Sequence, residues 1–371
     1  MIMAAHQLFR AGLSSSNSNL AVFRQICLVG TTVKASSNLH LHQPTRNKGT
    51  DSILGNLFGY KFFDRFDERS KIVVIDGNIG AGKTSLAKGL ADQLGMKYMK
   101  EATIHYFDEK ELGEGKKYDD KFMGSCSLER FYADPFAKDG HSFRFQLAMY
   151  AVRFVQYADA LQHLLETGQG VVLERSVYSD SVFMEAMFKM GYFRKECYDY
   201  YQEVEKISMY RLKPPHCVIY MDTPVADLID NVKSRGLEYE QNIPIEYLEA
   251  LEDEYKHKFL PAMQETSEVM VYDKNVPRDV DRVAEDFDML KFEHLPWNEM
   301  NNDNFDKLYR FVRDKGRVAQ SMWMPKYLPE ITFGADQFND LTIDFEQNHS
   351  IGKGFAPGFN PDQPFSKLFF K

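Results

Sequence analysis

Eight consecutive residues, Gly77-Asn78-Ile79-Gly80-Ala81-Gly82-Lys83-Thr84, fit G-x-x-x-x-G-K-[ST] without exception. Average glycine and lysine usage gives such a match by chance in roughly one chain per hundred of this length. The pattern constrains the fold because it works only between a strand and a helix. Its glycines let backbone N–H groups converge on phosphate oxygens at the helix N-terminus, where the dipole favours negative charge. Lys83 then supplies a cation to the β- and γ-phosphates, and Thr84 can ligate Mg²⁺. The nucleotide-binding segment is read as residues 77–85, ending at Ser85. A glycine-rich turn with no ligand is the plainer alternative.

The flanking sequence has the required order. Residues 71–76 (KIVVID) form a short apolar run of the kind found in a strand buried on both faces. Residues 84–94 carry Leu86, Leu90 and Leu94 at helical spacing, and Gly95 ends that run. Downstream, strands are expected at 96–99, 170–173, 217–221 and 269–272, and helices at 143–167, 182–190, 196–209 and 280–290. Helices alternating with apolar strands predict an α/β P-loop kinase fold, with a parallel sheet covered by helices on both faces. Beyond residue 291, prolines and aromatics interleave with weak periodicity, apart from one expected helix over 304–318, which predicts an irregular C-terminal extension that lies on something.

Residues 1–50 contain no Asp or Glu but carry Arg10, Arg24, Lys34, Arg46, Lys48 and six serines, the composition of a mitochondrial transit peptide. A disordered tail is the alternative on the same grounds. The organisation is therefore read as transit peptide and linker (1–50), N-terminal linker (51–70), P-loop domain (71–290) and a C-terminal, partner-binding extension (291–371). Without the five positive charges of the presequence, the net charge of −9 becomes −14, which disfavours a nucleic-acid partner. No apolar run approaches the length of a transmembrane helix, so any membrane association is peripheral. The four cysteines show no C-x-x-C spacing, and buried thiols are expected rather than disulfides or zinc.

Two further segments sit where the carboxyl edge of the sheet is expected, the edge at which α/β proteins bind ligands. Glu101 follows the 96–99 strand and could accept the proton of an attacking hydroxyl, although such a residue taken alone is more often a solvated surface charge. Glu174-Arg175-Ser176 follows the 170–173 strand. Glu174 could hold Mg²⁺ through water while Arg175 steadies a phosphate or hydroxyl; a salt bridge with a helix cap at Ser176 is the alternative.

Together with the phosphate loop, the segments Phe143-Arg144-Phe145-Gln146 leading to Arg153, Glu174 to Asp180 (ERSVYSD) and 241–248 (QNIPIEYL) resemble the deoxyribonucleoside kinases over about residues 71–290. The resemblance implies that Glu101 stands at the catalytic-base position. It places Gln146 at the glutamine that pairs with the nucleobase, and Arg153 and Asp180 at neighbouring nucleoside-binding positions. Glu174 and Arg175 fall on the pair serving Mg²⁺ and the 5′ end of the nucleoside. The sequence departs from the family pattern at Ala102 and Tyr106, where Pro and Trp are usual.

The larger departure is the lid. The family's R-x-x-x-R-x-R reads Asn231-Val232-Lys233-Ser234-Arg235-Gly236-Leu237, so Arg235 alone is left, with Lys233 a differently shaped substitute. Cations aimed at a migrating phosphoryl group contribute about 10³ to 10⁵ in rate, so this loss predicts nucleotide binding without useful turnover. Segments 101–106 (EATIHY), 157–161, 168–173, 328–332 and 357–360 further resemble the deoxynucleoside-kinase-like accessory subunits of mitochondrial respiratory complex I. That resemblance implies a non-catalytic subunit on the matrix side of the inner membrane, with other complex I subunits as partners and a role in assembly or stability. The alternative is an active mitochondrial deoxyribonucleoside kinase using Glu101, Arg175 and Arg235. Mg²⁺ with ATP or a deoxynucleotide is the expected ligand. FAD, attributed to the family, finds no G-x-G-x-x-G fingerprint here.

Overall fold

A computed structural model describes residues 65–106, 126–273, 279–292, 296–298 and 302–332. The expected transit peptide (1–50) and most of the N-terminal linker lie outside the described residues.

The chain builds β1 (Ile72–Gly77), α1 (Lys83–Leu94), β2 (Lys97–Met99), α2 (Leu128–Ala133), α3 (His141–Thr167), β3 (Val171–Glu174), α4 (Asp180–Lys189), α5 (Lys195–Met209) and β4 (Cys217–Met221). Then follow α6 (Val225–Ser234), α7 (Ile245–Glu254), β5 (Glu268–Tyr272), α8 (Val280–Asp288), α9 (Asn302–Arg313) and α10 (Lys315–Ser321). The five strands form one sheet in the order β2-β3-β1-β4-β5, and every pairing is parallel. All five expected strands are therefore present, four with ends shifted by one residue and the other, 217–221, unshifted.

The reason β1 reads as an unbroken apolar run is visible in its packing. Side chains alternate across a strand. Val73 and Ile75 enter a core with Leu86 and Leu90 of α1, Leu228 of α6 and Phe287 of α8. Ile72 and Val74 enter a second core, on the opposite face, with Tyr150, Phe154 and Tyr157 of α3 and Tyr200 of α5. With both faces covered, every position of the strand must be apolar until Asp76.

The C-terminal extension completes the second core. Trp297, Phe305, Leu308, Val312, Val318, Met322, Leu328 and Ile331 are all buried in it, and α9 packs along α3. Of the described part of this extension, expected to be irregular, 302–313 and 315–321 are helical while 291–292, 296–298 and 323–328 are irregular, and what that part lies on is this chain's own domain. The single helix expected over 304–318 is two, because Asp314 leaves helical geometry and its side chain accepts from Arg317 N to cap α10. Trp297 anchors the extension: its ring stacks on His216 at 4.4 Å, and Nε1 donates to Pro214 O at 2.8 Å. Arg194 Nε donates to Glu330 Oε1 at 2.6 Å and ties down the end of its described part.

Three elements near the site were not foreseen: α6, α7 and the π-helical turn Tyr255–Phe259 that continues α7. Among the described residues no helix is long and apolar enough to cross a membrane.

Candidate nucleotide site

β1 lies at the centre of the sheet, and the loop leaving its carboxyl end runs into α1. Gly77 has φ +147°, and a Cβ there would stand 2.9 Å from Met221 O of the neighbouring strand, so a side chain is excluded on both counts. Asn78 pins the loop, donating from Nδ2 to Leu248 O at 2.9 Å and accepting from Ile79 N at 2.7 Å. Gly82, Thr84 and Ser85 are exposed at the start of α1, whereas Lys83 is buried and its Nζ donates to Asn78 O at 2.8 Å. Burial and the Arg175 guanidinium push the Lys83 ammonium down to about 7, against the opposing pull of Glu101 and Asp76.

The residues singled out at 101, 146, 153, 175 and 180 meet in one chain of contacts. Arg175 has φ +58°, the only positive value among described non-glycine residues, and its Nη2 donates to Gly77 O at 3.0 Å. That strained backbone is typical of a functional turn. Its Nη1 pairs with Glu101, whose Oε1 also lies 3.5 Å from Arg153 Nη2. Arg153 pairs in turn with Asp180, which accepts from Gln146 Nε2 at 2.9 Å and from Tyr201 OH at 2.7 Å. The ring of Phe183 faces both guanidinium groups, at 4.8 Å from Arg153 and 4.9 Å from Arg175. Burial raises the Glu101 carboxyl, but Arg175, Lys83 and Arg153 outweigh it and hold the group down at about 2. Burial raises Asp180, with Arg153 opposing.

Thr84 and Glu174 also meet: Thr84 Oγ1 donates to Glu174 Oε2 at 2.6 Å. The other carboxylate oxygen accepts from the Tyr98 hydroxyl. Thr84 thus keeps lone pairs for a ligand, and each oxygen of Glu174 already accepts one hydrogen bond from the protein. Among the described residues no group of three or more His, Cys, Asp or Glu converges as a metal cage.

The lid positions have taken other work. Asn231 Nδ2 donates to Gly80 O at 3.0 Å, and α6 lies so close that a Cβ on Gly80 would stand 3.3 Å from Leu228 O. Arg235 pairs with Glu240 at 3.3 Å and is half-exposed, and Leu237 is exposed.

Sequence reasoning missed Asp76, Tyr98, Phe183, Tyr201 and Tyr255. Asp76 had a signal, a carboxylate ending an apolar strand. It is fully buried, burial raises it, and Tyr255 OH donates to its Oδ1 at 3.0 Å. The π-helical turn that presents Tyr255 left no legible mark in the sequence.

A parallel sheet with a phosphate loop at its central strand and a charged chain across its carboxyl edge defines a P-loop kinase fold, and the chain belongs to the deoxynucleoside kinase family, whose model matches residues 73–292. It is 43% identical over 309 residues to the bovine protein named NADH dehydrogenase [ubiquinone] 1 alpha subcomplex subunit 10, mitochondrial, covering 83% of this chain and 89% of that one. The mouse protein of the same name is 43% identical over 322 residues, 87% of this chain and 90% of its own. These matches are longer than 73–292 can hold, so the likeness runs outside the kinase domain. A deoxyguanosine kinase of Dictyostelium discoideum is 30% identical over 236 residues, 64% of this chain and 70% of that protein. Among solved structures, a deoxyadenosine kinase from M. mycoides with bound dATP covers 58% of this chain and 99% of its own, at 20% identity and a TM-score of 0.46.

Proposed function

We propose that the chain is a non-catalytic accessory subunit of mitochondrial complex I, in which a kinase-family fold serves assembly or stability and holds a nucleotide at residues 77–85. The observation that carries this reading is the 43% identity, along 83% of the chain, to a protein named as an NADH dehydrogenase subunit. The lid supports it physically. Two of three cation positions are Asn231 and Leu237, Asn231 is tied to the loop, and Arg235 is paired with Glu240.

Under this proposal residues 1–50 direct import, the protein lies on the matrix side of the inner membrane, and other complex I subunits are its partners. The bound species is ATP or a deoxynucleotide, and binding to the folded form alone adds stability without turnover. Native-gel fractionation of solubilised mitochondrial membranes tests the reading. The protein should migrate with the large NADH-oxidising assembly; recovery solely as a free soluble species would overturn it. The intact phosphate loop favours one alternative, an active deoxynucleoside kinase. Turnover of deoxynucleosides with Mg·ATP, abolished by Glu101→Gln, would establish that instead.

A further inference from the structure

The carboxylate expected to serve magnesium already accepts one hydrogen bond from a protein hydroxyl on each oxygen, and one of the two donors is a residue for which the site otherwise has no use. β2 lies beside β3 with Tyr98 opposite Val172, two residues before Glu174 and therefore on the same face of the sheet. The long phenol extends along that face to Glu174 Oε1, while Thr84 at the start of α1 takes Oε2 at 2.6 Å. The Tyr98 ring is held on its other side by α1, with Lys88 Nζ 5.7 Å from its centroid. A strand and a helix thus fix the hydroxyl in place. Burial and the Glu174 charge raise its pKa, so it remains a donor at any working pH.

Magnesium keeps several of its waters and is held by one or two carboxylates together with the substrate phosphates, so a nearby carboxylate meets the ion or one of its waters. A metal-bound water donates to a carboxylate oxygen, and here it would have to share that oxygen with a fixed O–H group. We propose that Tyr98 makes nucleotide binding at residues 77–85 insensitive to magnesium, because the Glu174 oxygen that a metal-bound water would use already carries the Tyr98 hydrogen bond and is a weaker acceptor for a second donor. Tyr98 is a positioning residue in this scheme, acting through Glu174. The ligand is a metal-free nucleoside triphosphate, whose charge is met by Lys83 and the loop amides. The inference rests on the reading that this loop holds a nucleotide.

Isothermal titration calorimetry of the mature protein with ATP and the common deoxynucleoside triphosphates, in excess MgCl₂ or in EDTA, separates the two. The wild type should bind at least one of them with a Kd differing by less than about threefold between the buffers, and Lys83→Ala should lose that binding. Tyr98→Phe, which keeps the ring and its packing, should become about tenfold or more tighter with magnesium. Tenfold corresponds to about 1.4 kcal/mol, near the low end for a hydrogen bond to a charged group. A wild-type protein that tightens tenfold with magnesium overturns the inference while upholding the nucleotide site. A Tyr98→Phe protein as indifferent as the wild type overturns it too. Folded wild-type protein that binds no triphosphate in either buffer, or binding that survives Lys83→Ala, overturns both readings.

Discussion

Asp180→Ala should be among the most destabilising single changes near the site. Asp180 is fully buried and accepts from three donors: the Arg153 guanidinium, Gln146 Nε2 at 2.9 Å and Tyr201 OH at 2.7 Å. Its removal leaves Arg153, 5% exposed, with Glu101 at 3.5 Å as its remaining ion-pair partner. Breaking one side of a buried ion pair costs about 3–5 kcal/mol. The two neutral donors left without an acceptor cost about 1–3 kcal/mol each where water cannot replace the carboxylate. Because all three share one partner the costs do not add, and a water entering the new space relieves part of them. A net loss of about 4 kcal/mol is expected, a large share of the roughly 5–15 kcal/mol that holds a domain folded. Tyr201→Phe removes a single donor and should cost about 1 kcal/mol. Urea unfolding followed by circular dichroism gives both values from the shift in midpoint at constant slope. Pairing Arg153→Met with Asp180→Leu, which removes both charges, should recover the share of the loss due to the unpaired guanidinium, while Gln146 and Tyr201 still lack their acceptor. The reasoning fails if Asp180→Ala costs no more than Tyr201→Phe, or if the double replacement is worse than the single one.

Two further outcomes follow from the same geometry. The buried Lys83 ammonium titrates at about 7 in the folded chain, against roughly 10.4 when unfolded, so the unfolded state holds more protons between those values. Stability of the ligand-free protein should therefore rise with pH from about 7 toward 10, while triphosphate affinity, which needs the cation, should fall by up to about tenfold per pH unit above 7; affinity flat across that range would show that Lys83 does not meet the phosphates. Trp297→Ala, which removes the stack on His216 and the bond to Pro214 O, should cost about 3–5 kcal/mol in chemical denaturation, and a loss below about 1 kcal/mol would mean that the extension is not part of the core.

The strands were legible because each is a local apolar run whose both-face burial leaves a one-dimensional signature, and 217–221 matches the observed strand residue for residue. The phosphate loop was legible for a similar reason: its glycines, lysine and threonine act at fixed separations along the backbone. Helices α6 and α7 were passed over because their stretch was read as a lid and a family motif, and the expected 304–318 helix hid the Asp314 break, where a side-chain cap competes with continued helix. The π-helical turn that carries Tyr255 to Asp76 depends on one extra residue in a turn, which leaves the apolar pattern almost unchanged.

What the sequence alone determined, then, is a parallel α/β domain with a phosphate loop after its first strand and a depleted set of lid cations. What the tertiary structure decided is which side chains meet. Glu101, Arg153, Arg175 and Asp180 lie on separate elements, and only the strand order β2-β3-β1 and the path of α3 bring them into one chain of contacts. Asn231 reads in sequence as a lost arginine and becomes a bond to Gly80 only where α6 lies on the loop. The extension reads as surface-seeking apolar chain, and only folding shows that its own domain supplies the surface for the described residues up to 332. Periodicity records how each segment meets its surroundings, but which surroundings those are depends on how distant segments are brought together.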